Sequence, residues 1–295
     1  MRKNVNKTQL ILTALVSLVA IGAAFFAGAA GSVAFSRVPT FATQQVAVPH
    51  GFIIGKAALL YDPTTNEILF SKNAQARLPL ASLTKLMTAQ TSLATLSPAT
   101  LVVITQADIQ PEGDQGFRPG DTVSLHDLVA FALVASSNDA IAAAANVLGT
   151  NSQAQINAAA SGLGLANSSF FNPTGLDQNS ITAGGYGSAY DVAKLATGFY
   201  KNYPEYFELT QRPNISIQAG GRVLTATATM TPLQDIPGFV GAKTGYTDLA
   251  GGNLVAIFNL DIGHPVVAVV LGSTEAGRFQ DIRTMITAVR QQTQP

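Results

Sequence analysis

Residues 80–88 read LASLTKLMT, and they open the first helix that the sequence predicts. Leu83, Leu86 and Leu93 recur at helical spacing, which indicates a helix over residues 82–96. Upstream of this stretch the apolar residues follow the pattern of strands, whereas downstream the chain becomes alanine-rich and helical in character. The stretch therefore marks the point at which a predicted sheet gives way to a predicted helical block.

The spacing of apolar residues divides the rest of the chain into predicted strands and predicted helices. A strand hairpin is predicted over residues 57–61 and 67–72, around the turn-forming stretch DPTTN. Four helices are predicted in the middle of the chain, over residues 125–134, 139–148, 152–163 and 188–200. Past Pro213 the sequence predicts strands and then an amphipathic helix, over residues 215–218, 222–225, 252–259, 265–271 and 278–292. The predicted fold class is α+β in three layers: one antiparallel sheet made from both chain ends and flanked by helices, with an inserted helical subdomain.

Composition and charge exclude several classes of function. The chain has 295 residues, of which 47% are hydrophobic, so it can bury a sizeable core. Its 17 basic and 17 acidic side chains give a net charge of zero, whereas binding of nucleic acid relies on an excess of clustered Lys and Arg. The absence of cysteine removes disulfides, thiolate metal sites and cysteine nucleophiles. We expect no metal or organic cofactor.

The N-terminus predicts export across the cytoplasmic membrane. Arg2, Lys3 and Lys7 precede an apolar run over residues 10–35 that carries no charge. About 20 apolar residues span a bilayer, so the length of this run favours a retained anchor, while the small-residue stretch AGA at residues 27–29 keeps a cleaved signal open. The predicted organisation is a signal peptide or anchor, a linker and one exported domain, over residues 1–35, 36–50 and 51–295.

A serine beside a lysine is the first candidate for chemistry. Serine needs a neighbouring base to become a nucleophile, but His50, His126 and His264 lie in the linker, at a helix start and in a hairpin turn. Ser82 and Lys85 are three residues apart, which places both on one face of the predicted helix. Lys85 can act as a base only when neutral, and burial or a second cation would favour that state. Taken alone, this pattern is more typical of a capped helix with a solvated lysine than of a catalytic pair.

The second candidate motif is Ser136-Ser137-Asn138, which lies between two predicted helices. An exposed loop at this point would present a hydroxyl group and a carboxamide. Ser136 is suited to relay a proton to a leaving amine, and Asn138 is suited to orient Lys85 and a substrate amide. By itself the triplet would be interpreted as the N-cap of the helix that follows.

The third candidate motif is Lys243-Thr244-Gly245, which opens a strand-like segment. A cation and a hydroxyl group at this point suit a substrate that carries a carboxylate. Gly245 has no side chain, so another backbone can approach the strand closely. Without the other two motifs, an ordinary edge strand would account for the pattern equally well.

The three motifs in this order resemble those of the penicillin-binding protein and serine β-lactamase superfamily. The surrounding sequence narrows the resemblance to the D-alanyl-D-alanine carboxypeptidases of low molecular mass. The stretches that carry it are LASLTKLMT (80–88), SSNDA (136–140), NPTGLD (172–177) and KTGYTDLAG (243–251). The resemblance runs from about Ala57 to Arg290, which is nearly all of the predicted exported part.

The resemblance implies catalytic roles for residues of the first two motifs. Ser82 would attack the carbonyl group of the penultimate D-alanine of a peptidoglycan stem peptide and become an acyl-ester. Lys85 would accept the serine proton. Ser136 and Asn138 would take part in the proton relay and in contact with the substrate. Water would then hydrolyse the ester.

The resemblance also implies how the substrate is bound. Lys243 and Thr244 would hold the terminal carboxylate, and Gly245 and Tyr246 continue the same binding strand. The backbone N–H groups of Ser82 and Tyr246 would form the oxyanion hole. The implied partners are a stem peptide that ends in D-Ala-D-Ala, β-lactam antibiotics as covalent inhibitors, and the cytoplasmic membrane through the N-terminal segment.

Other functions on the same scaffold stay open to different degrees. A β-lactamase of this pattern activates its deacylating water with a glutamate, but the chain has no glutamate between Glu112 and Glu205. A D,D-endopeptidase that acts on cross-links shares every motif, and a catalytically silent wall-binding protein would share the fold. One departure from the carboxypeptidase pattern is Ser137, where glycine is more usual, and we expect its side chain to lie near the cleft.

Overall fold

The computed structural model describes residues 48, 52–113 and 115–293. These residues lie within one compact unit, Thr43–Pro295. The predicted signal or anchor and nearly all of the predicted linker, including His50, lie outside the described residues. Within the part of the chain that is described, no helix is long and apolar enough to cross a bilayer.

The central sheet is built from both ends of the described chain. Its five strands are antiparallel and lie in the order β10-β11-β12-β1-β2. They span Ala57–Asp62 (β1), Glu67–Lys72 (β2), Phe239–Thr247 (β10), Gly251–Asp261 (β11) and His264–Ser273 (β12). The first strand pairs with the last, and Ala57 lies opposite Leu271. The predicted sheet and its two hairpins are therefore confirmed.

Seven α-helices surround this sheet in the described residues. They span Thr84–Thr95 (α1), Leu125–Val134 (α2), Asn138–Asn146 (α3), Ser152–Gly162 (α4), Ala189–Asn202 (α5), Pro204–Leu209 (α6) and Gly277–Thr293 (α7). The six predicted helices are confirmed to within two residues at every end. The short helix α6 was not predicted, because its six residues are too few to show a helical period.

The alternation of side chains along the strands separates two cores. On β1, Leu59 belongs to the core shared with the helical block, and its neighbour Leu60 belongs to the core shared with α7. All six residues of β1 are buried, because helices cover both faces of the sheet. The three-layer prediction, helices on both sides of one antiparallel sheet, is confirmed.

Seven further strands lie outside the central sheet in the described residues. They are Leu78–Pro79 (β3), Leu101–Val103 (β4), Thr122–Ser124 (β5), Ser169–Phe170 (β6), Gly185–Gly187 (β7), Asn214–Ala219 (β8) and Arg222–Thr227 (β9). The order β3-β7-β6 forms one sheet, and β4-β5 and β8-β9 are separate hairpins. The strands β8 and β9 were predicted, but their pairing as a separate hairpin outside the central sheet was not. Strands of two or three residues are too short to be read from a pattern.

Candidate active site

Ser82 lies in a 3-10 turn, Ala81–Leu83, immediately before α1. The sequence predicts Ser82 within the first turn of the α-helix, and this boundary is wrong by one short turn. Ala81 has a φ of 48°, which an α-helix does not allow. Positive φ values cost free energy at residues other than glycine, and they concentrate at functional sites. The turn presents Ser82 half-buried at the edge of the cleft.

Lys85 is fully buried one turn beyond the serine. Its Nζ atom lies 2.7 Å from Ser82 Oγ, 2.7 Å from Asn138 Oδ1 and 2.9 Å from the carbonyl oxygen of Thr174. Burial lowers the pKa of Lys85 to about 7, because the charged form has lost its hydration. An appreciable fraction of the amine is therefore neutral near pH 7, as a base for Ser82 requires.

Ser136 lies in the short loop that joins α2 to α3, and Asn138 is the first residue of α3. Ser136 has a φ of 60°, and its Oγ atom accepts a hydrogen bond of 2.7 Å from Lys243 Nζ. Asn138 is held at both ends of its amide, since Oδ1 accepts from Lys85 and Nδ2 donates to the carbonyl oxygen of Glu112. The prediction that Asn138 orients Lys85 is consistent with these contacts.

Ser137 occupies the N-cap of α3 and not the open cleft. Its side chain accepts a hydrogen bond of 3.2 Å from the backbone N–H of Ala140, and the residue is 1% exposed. The expectation that this side chain lies near the cleft agrees with its place between Ser136 and Asn138, but the hydroxyl is buried in the helix cap and does not open onto solvent. The capping role that the sequence offered for the triplet belongs to this residue alone.

Strand β10 brings Lys243 and Thr244 to the opposite wall of the site. Lys243 is 1% exposed, and its Nζ atom donates to Ser136 Oγ and to the carbonyl oxygen of Thr244, both at 2.7 Å. Burial, and then the charges of Lys85 and Arg278, lower the pKa of Lys243 well below its usual value. Thr244 Oγ1 donates to Thr229 Oγ1 at 2.9 Å.

Gly245 and Tyr246 follow on the same strand. A Cβ atom on Gly245 would lie 2.9 Å from the carbonyl oxygen of Leu80 and 3.0 Å from the backbone nitrogen of Ser82. The predicted close approach of another backbone is confirmed, and that backbone is the turn that carries Ser82. Tyr246, the next-to-last residue of β10, is 50% exposed. The glycine therefore allows the nucleophile and the binding strand to lie side by side.

Several residues at the site were not predicted. Thr174 contributes only a backbone carbonyl, which has no signature in a sequence. Arg278 is 6% exposed, and its Nη1 atom donates to the carbonyl oxygen of Gly245 at 2.8 Å. Its position at the start of a long amphipathic helix gave no indication of this contact. Thr229 lies between predicted strands and carried no motif.

The two histidines in the described residues form carboxylate pairs away from these contacts. His126 Nδ1 lies 3.1 Å from Asp127 Oδ1, and His264 Nε2 lies 2.7 Å from Asp62 Oδ2. Among residues 48, 52–113 and 115–293, no group of three or more histidine or acidic side chains is placed to hold a metal ion. The chemistry that these contacts support is that of a serine activated by a lysine.

Comparison with known proteins gives a consistent set of similarities. The family model of peptidase S11, D-alanyl-D-alanine carboxypeptidase, matches residues 42–275. D-alanyl-D-alanine carboxypeptidase DacF of Bacillus subtilis (strain 168) is 28% identical, and the match covers 78% of this chain and 61% of that protein. The chain thus spans about three fifths of the length of this relative.

One solved structure and one further relative extend the comparison. The ampicillin-bound crystal structure of penicillin-binding protein D2 from Listeria monocytogenes superposes with a TM-score of 0.70 at 28% identity, covering 80% of this chain and 97% of that one. D-alanyl-D-alanine endopeptidase of Pseudomonas aeruginosa (strain PAO1) is 29% identical over 55% of this chain and 52% of its own.

Proposed function

The chain belongs to the peptidase S11 family, D-alanyl-D-alanine carboxypeptidase, and we propose that it removes the terminal D-alanine from peptidoglycan stem pentapeptides through an acyl-ester on Ser82. The observation that carries the proposal is the contact of 2.7 Å between Ser82 Oγ and the amine of fully buried Lys85. A lysine whose pKa is about 7 can accept the serine proton near neutral pH.

Acylation begins when neutral Lys85 takes the proton of Ser82 and the serine oxygen attacks the carbonyl carbon of the penultimate D-alanine. The backbone N–H groups of Ser82 and Tyr246 stabilise the oxyanion, and one such donor is typically worth about 2.7–4 kcal/mol. The C–N bond then breaks, and the departing amine of D-alanine receives a proton through Ser136, whose hydroxyl contacts Lys243.

The terminal carboxylate of the substrate fits the wall formed by Lys243 and Thr244. In the free protein the pKa of Lys243 is depressed by burial and by neighbouring cations. A bound carboxylate opposes that depression, because an opposite charge within a few ångströms favours the protonated amine. Recognition of the carboxylate and charging of Lys243 are therefore coupled, which selects substrates with a free C-terminus.

Water hydrolyses the acyl-ester and releases the shortened peptide. A β-lactam has the same reactive amide and would acylate Ser82, so we propose these antibiotics as covalent inhibitors. The lack of a glutamate between Glu112 and Glu205 argues against rapid release of that adduct, since β-lactamases of this pattern use one.

The test is covalent labelling of the purified exported domain, residues 51–295. A fluorescent penicillin should label the wild type and should not label Ser82→Ala, while both proteins unfold at the same temperature. Incubation of the wild type with a pentapeptide ending in D-Ala-D-Ala should release free D-alanine. A wild type that takes no label would overturn the catalytic proposal and favour a silent wall-binding protein.

A second candidate activity is D,D-endopeptidase, which the similarity to the Pseudomonas aeruginosa protein favours. Cleavage of purified cross-linked muropeptide dimers without release of D-alanine from pentapeptides would move the proposal to this activity. Release of D-alanine with intact dimers would exclude it.

We propose that the protein acts at the outer face of the cytoplasmic membrane or in the cell wall. Its support is the basic flank and the uncharged apolar run over residues 10–35. Mass spectrometry of the native N-terminus distinguishes the two forms, because a retained anchor keeps this run and a cleaved signal loses it.

A further inference from the structure

The loop formed by residues 172–177 supplies one of the three partners of Lys85. The carbonyl oxygen of Thr174 lies 2.9 Å from Lys85 Nζ, and Thr174 is 4% exposed. The preceding carbonyl, that of Pro173, accepts a hydrogen bond of 2.9 Å from Thr88 Oγ1 on α1. The 172–177 loop therefore closes one side of the lysine site with backbone atoms.

The side chain of Asn172 stabilises the 172–177 loop through hydrogen bonds to the loop's own backbone. Asn172 Oδ1 accepts from the backbone N–H groups of Thr174 and Gly175 at 3.2 and 2.7 Å, and Asn172 Nδ2 donates to the carbonyl oxygen of Leu176 at 2.8 Å. Gly175 has a φ of 82°, and a Cβ atom on it would lie 1.9 Å from the carbonyl oxygen of Ala81. The loop is thus packed directly against the turn that carries Ser82.

The end of the loop is tied to the opposite wall of the site by Asp177. Its Oδ1 atom accepts from Thr247 Oγ1 at 3.0 Å, and its Oδ2 atom accepts from the backbone N–H of Leu249 at 3.2 Å. Thr247 ends β10, two residues beyond Gly245, the glycine that packs against the other side of the Ser82 turn. The turn is therefore enclosed between two walls, and the Asp177 carboxylate joins them.

We propose that Asp177 is a positioning residue. It holds the 172–177 loop, which carries the Thr174 carbonyl, and strand β10 at a fixed separation on the two sides of the Ser82 turn. This inference rests on the proposed function, because acylation of Ser82 is its readout. Without the carboxylate, the end of the 172–177 loop loses its bond to Thr247 of β10 and its bond to Leu249 in the turn that follows β10. The contact between the Thr174 carbonyl and Lys85 then loosens, and water reaches the amine.

The primary test compares Asp177→Ala with the wild type in labelling by a fluorescent penicillin. The labelling rate of folded protein should fall about 10- to 100-fold, because displacements of about 1 Å at an active site cost rate on this scale. The pH at which the rate is half-maximal should rise, because hydration of Lys85 reverses the effect of burial. Lys243, whose charge interacts with that of Lys85, is unchanged in this variant, and so are Arg278 beside Lys243 and Asp139 in the first turn of α3.

Two substitutions of Thr247, which donates the hydrogen bond to Asp177, distinguish a positioning role from general destabilisation. Thr247→Ala removes the hydroxyl that donates to Asp177 and should lower the labelling rate in the same direction. Thr247→Ser keeps that hydroxyl and should restore a rate within about twofold of the wild type. If Asp177→Ala fails to fold, this pair still tests the inference.

Asp191 provides a matched control for loss of a structural carboxylate. Like Asp177, it accepts one backbone N–H and one hydroxyl, from Asn167 and Ser168, both at 2.8 Å, and it is 2% exposed on α5. Asp191→Ala should lower the unfolding temperature and leave the labelling rate of folded molecules unchanged.

The outcomes separate this inference from the proposed function. An unlabelled wild type overturns the proposed function itself. A labelled wild type with an unchanged rate and pH profile in Asp177→Ala overturns only the positioning role. Equal losses of rate in Asp177→Ala and Asp191→Ala would also overturn it, because the effect would then come from general destabilisation.

Discussion

Two buried lysines of this protein differ in what surrounds them. Lys85 Nζ faces the hydroxyl of Ser82, and burial alone accounts for the lowering of its pKa to about 7. Lys243 faces Ser136, and the charges of Lys85 and Arg278 add to the effect of burial on its pKa. In the mechanism we propose, the Lys85 amine serves as a base, and the Lys243 amine regains its charge when an anion binds.

The pKa of Lys85 predicts the pH dependence of acylation in the free protein. The reactive form is the neutral amine, so the labelling rate by a fluorescent penicillin should rise about tenfold per pH unit below pH 7 and level off above it. Labelling between pH 5 and 9 checks this expectation. A rate that falls as the pH rises through 7 would contradict Lys85 as the base.

Substitution by arginine isolates the proton-accepting role of Lys85. Lys85→Arg keeps a cation that does not lose its proton in this range, so labelling should fall at least about 100-fold at every pH. Lys194→Arg is the control, since the Lys194 amine donates to the carbonyl oxygen of Gly164 on an exposed surface. The control should label at the wild-type rate.

At the scale of elements, the start of α1 is set by contacts from other elements. A continuous α-helix through Ser82 would require Ala81 to leave its φ of 48°. Gly175 on one side and Gly245 on the other pack against the turn where no Cβ atom would fit. The 3-10 turn is therefore retained by packing, against the local preference of the sequence.

Substitution of Gly175 should change the free energy of unfolding through its packing against the Ser82 turn. Gly175→Ala combines an unfavourable φ with a Cβ atom 1.9 Å from the carbonyl oxygen of Ala81, so it should lower the free energy of unfolding by about 3–5 kcal/mol. Gly263→Ala has a similar φ, 74°, with no atom within 4 Å of the added Cβ, and should cost about 1 kcal/mol. Urea unfolding of both variants measures the difference, and equal costs would show that the Ser82 turn yields easily.

At the scale of the whole molecule, one acidic side chain joins the two ends of the described chain. Asp281 on α7 is fully buried, and it accepts from the backbone N–H groups of Ile54 and Gly55 at 2.8 and 2.9 Å and from Ser273 Oγ at 2.8 Å. These contacts hold the entry to β1, the end of β12 and α7 together beside the central sheet.

Loss of the Asp281 carboxylate should therefore destabilise the entire domain. Asp281→Ala leaves two backbone donors and one hydroxyl without their acceptor, and we expect a loss of about 3–5 kcal/mol in the free energy of unfolding. Asp261→Ala, at the exposed β11-β12 turn, should change it by less than about 0.5 kcal/mol. Urea unfolding checks both values, and a small loss for Asp281→Ala would show that apolar packing alone joins the chain ends.

Local pattern was sufficient for most elements and for the order of the three motifs. The spacing of apolar residues predicted α2 at its observed bounds, and the turn residues predicted both hairpins of the central sheet. Such features are set by neighbours in sequence, because helical and strand periods act within a few residues. The candidate site residues were likewise found from motif order, and their chemical roles remain predictions.

Tertiary structure alone decided whether Lys85 can serve as a base. In sequence, the stretch at residues 80–88 taken alone was more typical of a capped helix with a solvated lysine. The amine is buried by Asn138 and the Thr174 carbonyl, which are 53 and 89 residues away along the chain. Its pKa depends on the hydration it loses to these distant groups, and no local pattern encodes that loss. The same reason explains why the contacts that Thr174, Arg278 and Asp177 make at the site were recognised only once the chain was folded.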